Sequence, residues 1–140
     1  MREILFRGKD LSGALTRSWI FGSLDTTENE YTIMIYADRF GNKCRIFVDT
    51  KTVGQYTGLT DKNGKKIFEG DIVAYCTSTN RATNKELHEV VFETRGESGY
   101  FGIKISNIET WGFCQEVPAK LMEVIGNIYD NPELLLNYNK

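Results

Sequence analysis

The chain has 140 residues, 41% of them hydrophobic and 12% aromatic, with a net charge of −2. That length and apolar content suit a single domain spanning residues 1–140 and exclude a disordered chain. Acids and bases are mixed throughout, which excludes a broad basic field for duplex DNA and an acidic tail.

In chain order, the start MREILFRGKDL is charged within its first three residues, so no leader is expected. Ile4-Leu5-Phe6 suits a short strand, and residues 8–13 are turn-like. Ser18-Trp19-Ile20-Phe21 leads to Gly22 and Leu24, and Asp25 to Glu30 reads as a polar connection. Tyr31 to Tyr36 (YTIMIY) is β-branched and aromatic, a strand signal. Gly41-Asn42 marks a turn, and Cys44 to Val48 returns as the second strand of a hairpin. After the block TVGQYTGLTDKNGKKIFEGDIV (Thr52 to Val73), Ile72 to Tyr75 begins another strand, and Thr77 to Lys85 is wholly polar and reads as a mobile loop. Glu89 to Glu93 and Tyr100 to Ile105 flank TRGESG as a further hairpin. Asn107 to Val117 is ambiguous because Gly112 interrupts either periodicity, although Trp111 and Phe113 are expected to pack. Met122 to Tyr129 predicts a last strand with a bulge or close approach at Gly126. Asn131 as N-cap, Pro132 at the first position and Glu133 behind it predict a short helix over Pro132 to Tyr138. No segment reaches the roughly 20 apolar residues of a membrane span.

The block from Thr52 to Val73 poses the functional question. A Walker A loop needs four residues between its glycines and a Gly-Lys-Ser/Thr ending. Here five residues separate Gly58 from Gly64, and Lys66 stands where the hydroxyl belongs. An EF-hand loop fails too, because Gly64 comes too early and lysines fill the ligand positions. Asn63-Gly64 instead fits a type I′ hairpin turn, with Lys62, Lys65 and Lys66 in water around the tip. Glu69 and Asp71 form a carboxylate pair that could serve acid–base chemistry or a hard metal ion. The competing reading is a Gly-Asp turn entering a strand. Gln55 and Tyr56, beside two glycines, either line a shallow surface or pack.

Elsewhere the signals for chemistry are thin. His88-Glu89 starts like H-E-x-x-H, but Phe92 holds the fifth position, and His88 reads as a surface residue. Ser98 lacks nucleophile-elbow spacing and is a turn residue. Cys44, Cys76 and Cys114 show no C-x-x-C pair, and with the single His88 they give no zinc spacing. They read as free thiols in a reducing cytoplasm. Lys62, Lys65, Lys66, Arg81 and Lys85 could form a local basic edge for single-stranded nucleic acid, or a solvated strand edge.

Four stretches carry a family resemblance: REILFRGK (Arg2 to Lys9), Trp19 with Gly22-Ser23-Leu24, the block from Thr52 to Val73, and EVIGNIYDNPELL (Glu123 to Leu135). In order and content they resemble the YopX-like proteins of bacteriophages and prophages. The resemblance implies a mainly β, small barrel-like antiparallel domain with a short C-terminal helix. It also implies a phage or prophage origin and hence a bacterial cytoplasm. It implies no known reaction, so no catalytic residues carry over.

Together these readings give a non-enzymatic β domain without cofactor, metal or membrane attachment. Its expected partner is another protein or a second copy of itself, with nucleic acid as the alternative. The candidate interaction surface is Gln55, Tyr56, Lys62, Lys65, Lys66, Glu69 and Asp71.

Overall fold

The computed structural model describes residues 2–13, 18–28, 31–76 and 86–138. They divide into two compact units, Met1–Tyr56 and Thr57–Lys140. The segment 77–85, read above as a mobile loop, lies outside the described residues.

In the first unit, β1 (Phe6–Lys9), β2 (Trp19–Glu28), β3 (Tyr31–Ala37) and β4 (Lys43–Asp49) pair in the order β4-β3-β2-β1, and β5 (Gly54–Thr60) joins at β1. All pairings are antiparallel. The β3–β4 hairpin stands where the alternation places it, with Met34 opposite Ile46 and Ile33 opposite Phe47. The Asp38 carboxylate closes its turn by accepting the Phe40 and Asn42 N–H groups at 2.9 and 2.8 Å.

β2 extends further than the sequence suggests. Asp25 to Glu28, expected as a connection, continues the strand, and the register shifts between Leu24 and Thr26. Asp25 is therefore the extra residue of a bulge. Ladder hydrogen bonds to β3 hold this polar segment without needing apolar side chains, which is why hydrophobic patterning misses it.

The core here is Ile20, Met34 and Val48, with Phe6, Leu24, Tyr36, Ile46 and Val53 packed around them. Two glycines are required by close approach. A Cβ on Gly8 would lie 2.9 Å from Val48 Cγ2, and one on Gly22 would lie 1.9 Å from the Ile35 carbonyl oxygen. At its end, β1 reaches the free edge of β4 through one bridge, Asp10 opposite Val48, and the Leu11 N–H donates to Phe47 C=O at 3.0 Å. Thr52 ties the segment after β4 back to β1, donating to Asp49 C=O and accepting the Lys9 N–H.

In the second unit, the rest of β5 pairs with β6 (Lys66–Phe68). β7 (Asp71–Tyr75), β8 (Glu86–Arg95), β9 (Ser98–Lys104), β10 (Thr110–Gly112) and β11 (Glu123–Asn127) form a sheet in the order β10-β9-β8-β7-β11. α1 (Glu133–Tyr138) lies against β8. The core gathers Ile67, Val73, Tyr75, Val90, Ile103, Val117, Ala119, Met122 and Val124.

The ambiguous stretch from Asn107 resolves into β10, and Trp111 and Phe113 pack on this core as expected. Gly126 shows both predicted features, a register shift and a close neighbour, since a Cβ there would lie 2.5 Å from Asn131 Oδ1. That contact also corrects the helix cap. Asn131 Oδ1 accepts the Asn127 N–H at 3.2 Å, so this side chain closes the turn before the helix.

His88 is corrected as well. It is only 6% exposed, with Nδ1 3.2 Å from Lys104 C=O and Nε2 3.1 Å from Glu86 Oε2. The mainly β expectation holds as two antiparallel sheets with one short terminal helix. The barrel-like character is not confirmed: a closed barrel needs a continuous ladder around its circumference, and among the described residues β1 and β4 meet at a single bridge.

Gly22→Ala tests the close approach in the first unit. A methyl group aimed at a backbone oxygen cannot be relieved by a rotamer change, so a loss of roughly 2–4 kcal/mol is expected. Urea unfolding measures it. Gly41→Ala, where a Cβ meets nothing within 4 Å but φ is +82°, should cost about 1 kcal/mol through backbone strain.

Candidate functional site

The patterned block is a hairpin, and its tip is organised by Asp61. The Gly64 N–H donates to Asp61 C=O at 3.0 Å, and the Asp61 N–H donates to Lys65 C=O at 2.8 Å. Lys62 and Asn63 are therefore the central turn residues, and Gly64 takes the left-handed position with φ 80°. This is the three-residue hairpin with a glycine bulge, one position away from the type I′ turn that Asn63-Gly64 suggests. The side chain of Asp61 explains the shift. Its Oδ1 accepts the N–H groups of Asn63 and Lys65 at 2.8 and 2.9 Å, a geometry that a two-residue turn would not offer.

Asp61 Oδ2 points the other way and accepts the Val124 N–H of β11 at 2.9 Å. Beside it the Lys62 N–H donates to Met122 C=O at 2.9 Å, and Lys62 Nζ lies 3.2 Å from Glu123 Oε2. The hairpin tip is thus stitched to the last strand. Asp61 is 4% exposed. Burial raises its pKa, but the three backbone donors and the Lys65 charge outweigh that and hold the carboxyl below its ordinary range.

Asp71 plays a parallel part at the next turn. It is 2% exposed, and its Oδ2 accepts the Phe68 N–H at 2.8 Å across Glu69-Gly70. Gly70, with φ 88°, donates its N–H to Val90 C=O at 2.9 Å and accepts the Ile128 N–H at 2.8 Å. Glu69 is half-buried in the same turn.

The seven sequence candidates do not form one chemical centre. Gln55 and Tyr56 belong to the first unit, where Gln55 pairs opposite Phe6 and Tyr56 is buried, its N–H donating to Leu5 C=O at 2.8 Å. Lys62, Lys65 and Lys66 are exposed at and beside the hairpin tip. Among the described residues no group of three His, Cys, Asp or Glu side chains could hold a metal ion, and no helix is long and apolar enough to cross a membrane. Glu89 has its pKa raised by burial, partly offset by Lys104, but it sits within a strand ladder opposite Ile72.

Two features escaped the sequence. One is a polar groove of about 290 Å³ in the second unit, lined by Arg95, Tyr100, Lys104, Asn107 and Glu109 among others. The other is the outward face of β2–β4, where Phe21, Tyr31 and Phe47 are each about half exposed. YTIMIY carried the signal for the second. Both phases of its alternation are apolar, which normally marks a strand covered on two sides.

A family model described as YopX protein matches residues 6–136. Among solved structures, the crystal structure of protein EF1440 from Enterococcus faecalis is similar, with a TM-score of 0.54 and 25% identity over 96% of this chain and 99% of that one. No curated protein matches.

Asp61→Asn should cost about 2–4 kcal/mol, because an amide can accept on one side alone and turns N–H groups toward backbone donors. The lowered folded-state pKa gives the sign with pH. The stabilisation is present above the unfolded carboxylate value of about 3.9 and is lost as pH falls through the folded value. The wild-type advantage over Asp61→Asn in urea unfolding should therefore be full at neutral pH and shrink in acid.

Proposed function

The chain belongs to the YopX protein family, and from that premise we propose that it is a phage- or prophage-encoded, non-enzymatic β protein of the bacterial cytoplasm that acts by docking to another protein or to itself. The observation that carries this reading is the fate of the buried carboxylates. Asp61 and Asp71, two of the three acids inside the patterned block, direct oxygens at backbone N–H groups of its turns, and Asp61 also at the Val124 N–H of β11. A carboxylate so engaged is a poor general base or metal ligand, since either role would give up those bonds. The resemblance of the four sequence stretches supports the phage or prophage origin.

Single-stranded nucleic acid is the second reading, favoured by the exposed Lys65 and Lys66 beside the hairpin tip. Lys62 supports it less, because its ammonium already faces Glu123.

An affinity pull-down from the bacterial host, with and without nuclease, separates the two. Protein partners that survive nuclease are the expected outcome. Partners that vanish with nuclease, together with salt-sensitive binding weakened by Lys62, Lys65 and Lys66 to Ala, would replace the first reading by the second. A thermal melt with Mg²⁺ or Mn²⁺ should show no stabilisation; a rise of several degrees would restore Glu69 and Asp71 as metal ligands.

A further inference from the structure

In the first unit, the strands β2, β3 and β4 have one face on the core and one on solvent. Thr32 and Met34 point inward and are at most 1% exposed. Tyr31, Ile33 and Ile35 point outward, and the register sets them opposite Asp49, Phe47 and Arg45 of β4. On the β2 side Ser23 stands opposite Ile35. Tyr31 and Phe47 meet edge to face with centroids 6.0 Å apart, yet each stays 51% exposed. A hollow of about 280 Å³ opens beside them, lined by Ile33, Arg45, Ile46 and Phe47. Arg45 reaches over Ile35 to an ion pair with Asp25, the bulge residue of β2.

We propose that this outward face of β2–β4 is the docking surface for a second copy of the chain, paired through a two-fold axis. The inference deepens the docking reading above and rests on it. Charge selects the occupant. The cations Lys43 and Arg45 share the face with the anions Asp25 and Asp49. A polyanion such as nucleic acid needs one sign, whereas a two-fold pairing sets a mixed-sign face against itself and can match each sign with its opposite. Size sets the strength. Three strands at about 4.8 Å spacing and seven residues at about 3.4 Å give a footprint of roughly 14 by 24 Å. Two such faces remove on the order of 700 Å² of flat area, below the ~1,000 Å² that a specific, stable interface clears. The dimer is accordingly weak and concentration-dependent.

Light scattering coupled to size exclusion, run across a dilution series of the full chain, tests this. Wild type should move from the mass of one chain toward two as concentration rises. Phe47→Asp and Tyr31→Asp, each checked for an unchanged circular dichroism melt, should stay at one chain. Phe40→Asp, which alters an aromatic 75% exposed at the β3–β4 turn, should follow wild type. A wild type that stays monomeric throughout, or a Phe47→Asp variant that dimerises normally, overturns the proposal. Binding of oligo-dT that Phe47→Asp abolishes would also overturn it and give the face to nucleic acid. The pull-down result is separate: a monomer that still captures a nuclease-resistant partner defeats this interface and leaves the docking reading standing.

Discussion

The second unit depends on one carboxylate. Asp61 is buried, and its oxygens take three backbone N–H groups, two in its own turn and one in β11, more than sixty residues later in the chain. Turns leave backbone donors without ladder partners, and a buried donor left unmade costs free energy comparable to a lost hydrogen bond. A short acidic side chain answers this at Asp61, and the same solution recurs. Asp71 takes the Phe68 N–H, and Asn127 Oδ1 takes those of Tyr129 and Asp130 at 3.0 and 2.9 Å. The patterned block and the last strand are joined by the Asp61–Val124 and Lys62–Met122 bonds and by Gly70, which links β8 to the residue after β11.

This bonding changes what the patterned block means. Glycines, lysines and a Glu-Gly-Asp ending look like phosphate or metal chemistry when read as a string. In the fold, Gly64 and Gly70 supply positive φ, the lysines are exposed, with Lys62 facing Glu123, and Asp61 and Asp71 hold backbone. An ionised carboxylate with several amide donors is stabilised as a fixed acceptor. That suits a structural anchor and works against proton transfer, which needs a group able to change its charge state and its partners.

How far the sequence reaches follows from how local each signal is. The hairpin of β3 and β4 was legible because its period-2 pattern, Gly41 and Asp38 lie within a few residues of each other. So was the bulge at Gly126. The failures are non-local. β2 continues through Asp25 because β3 supplies its ladder, a fact absent from the string LDTTE. His88 sits among Glu86, Leu87 and Glu89 and reads as exposed, yet the pairing of β8 with β9 sets Lys104 C=O against its ring. Asn131 had every mark of an N-cap. Its side chain was claimed by Asn127, because the bulge at Gly126 brings that amide within reach. The acceptor role of Asp61 toward β11 was invisible for the same reason, and so was the exposure of the outward face, since periodicity says which residues share a face but not what covers it.

Exposed aromatic side chains differ in what they report, and the distinction narrows where contact with a partner would occur. Phe92 is 47% exposed, but its ring lies over Gly99, where any Cβ would collide with it, and meets Phe101 at 5.0 Å. It fills the space of a missing side chain on a two-stranded ribbon. Phe40 is held by the Arg39 guanidinium 4.9 Å from its ring centroid, at the tip of a turn. Trp19 is covered by Arg7, 4.6 Å from its centroid. Each of these has a local reason to be where it is. Tyr31 and Phe47 cover each other and border Ile33, so their exposure belongs to a contiguous apolar surface, the kind that marks interaction sites when scattered single residues do not. In this molecule the patterned block builds the turns, and the apolar surface lies on β3 and β4, outside the four stretches of family resemblance, and on β2, whose Gly22-Ser23-Leu24 lies within one of them.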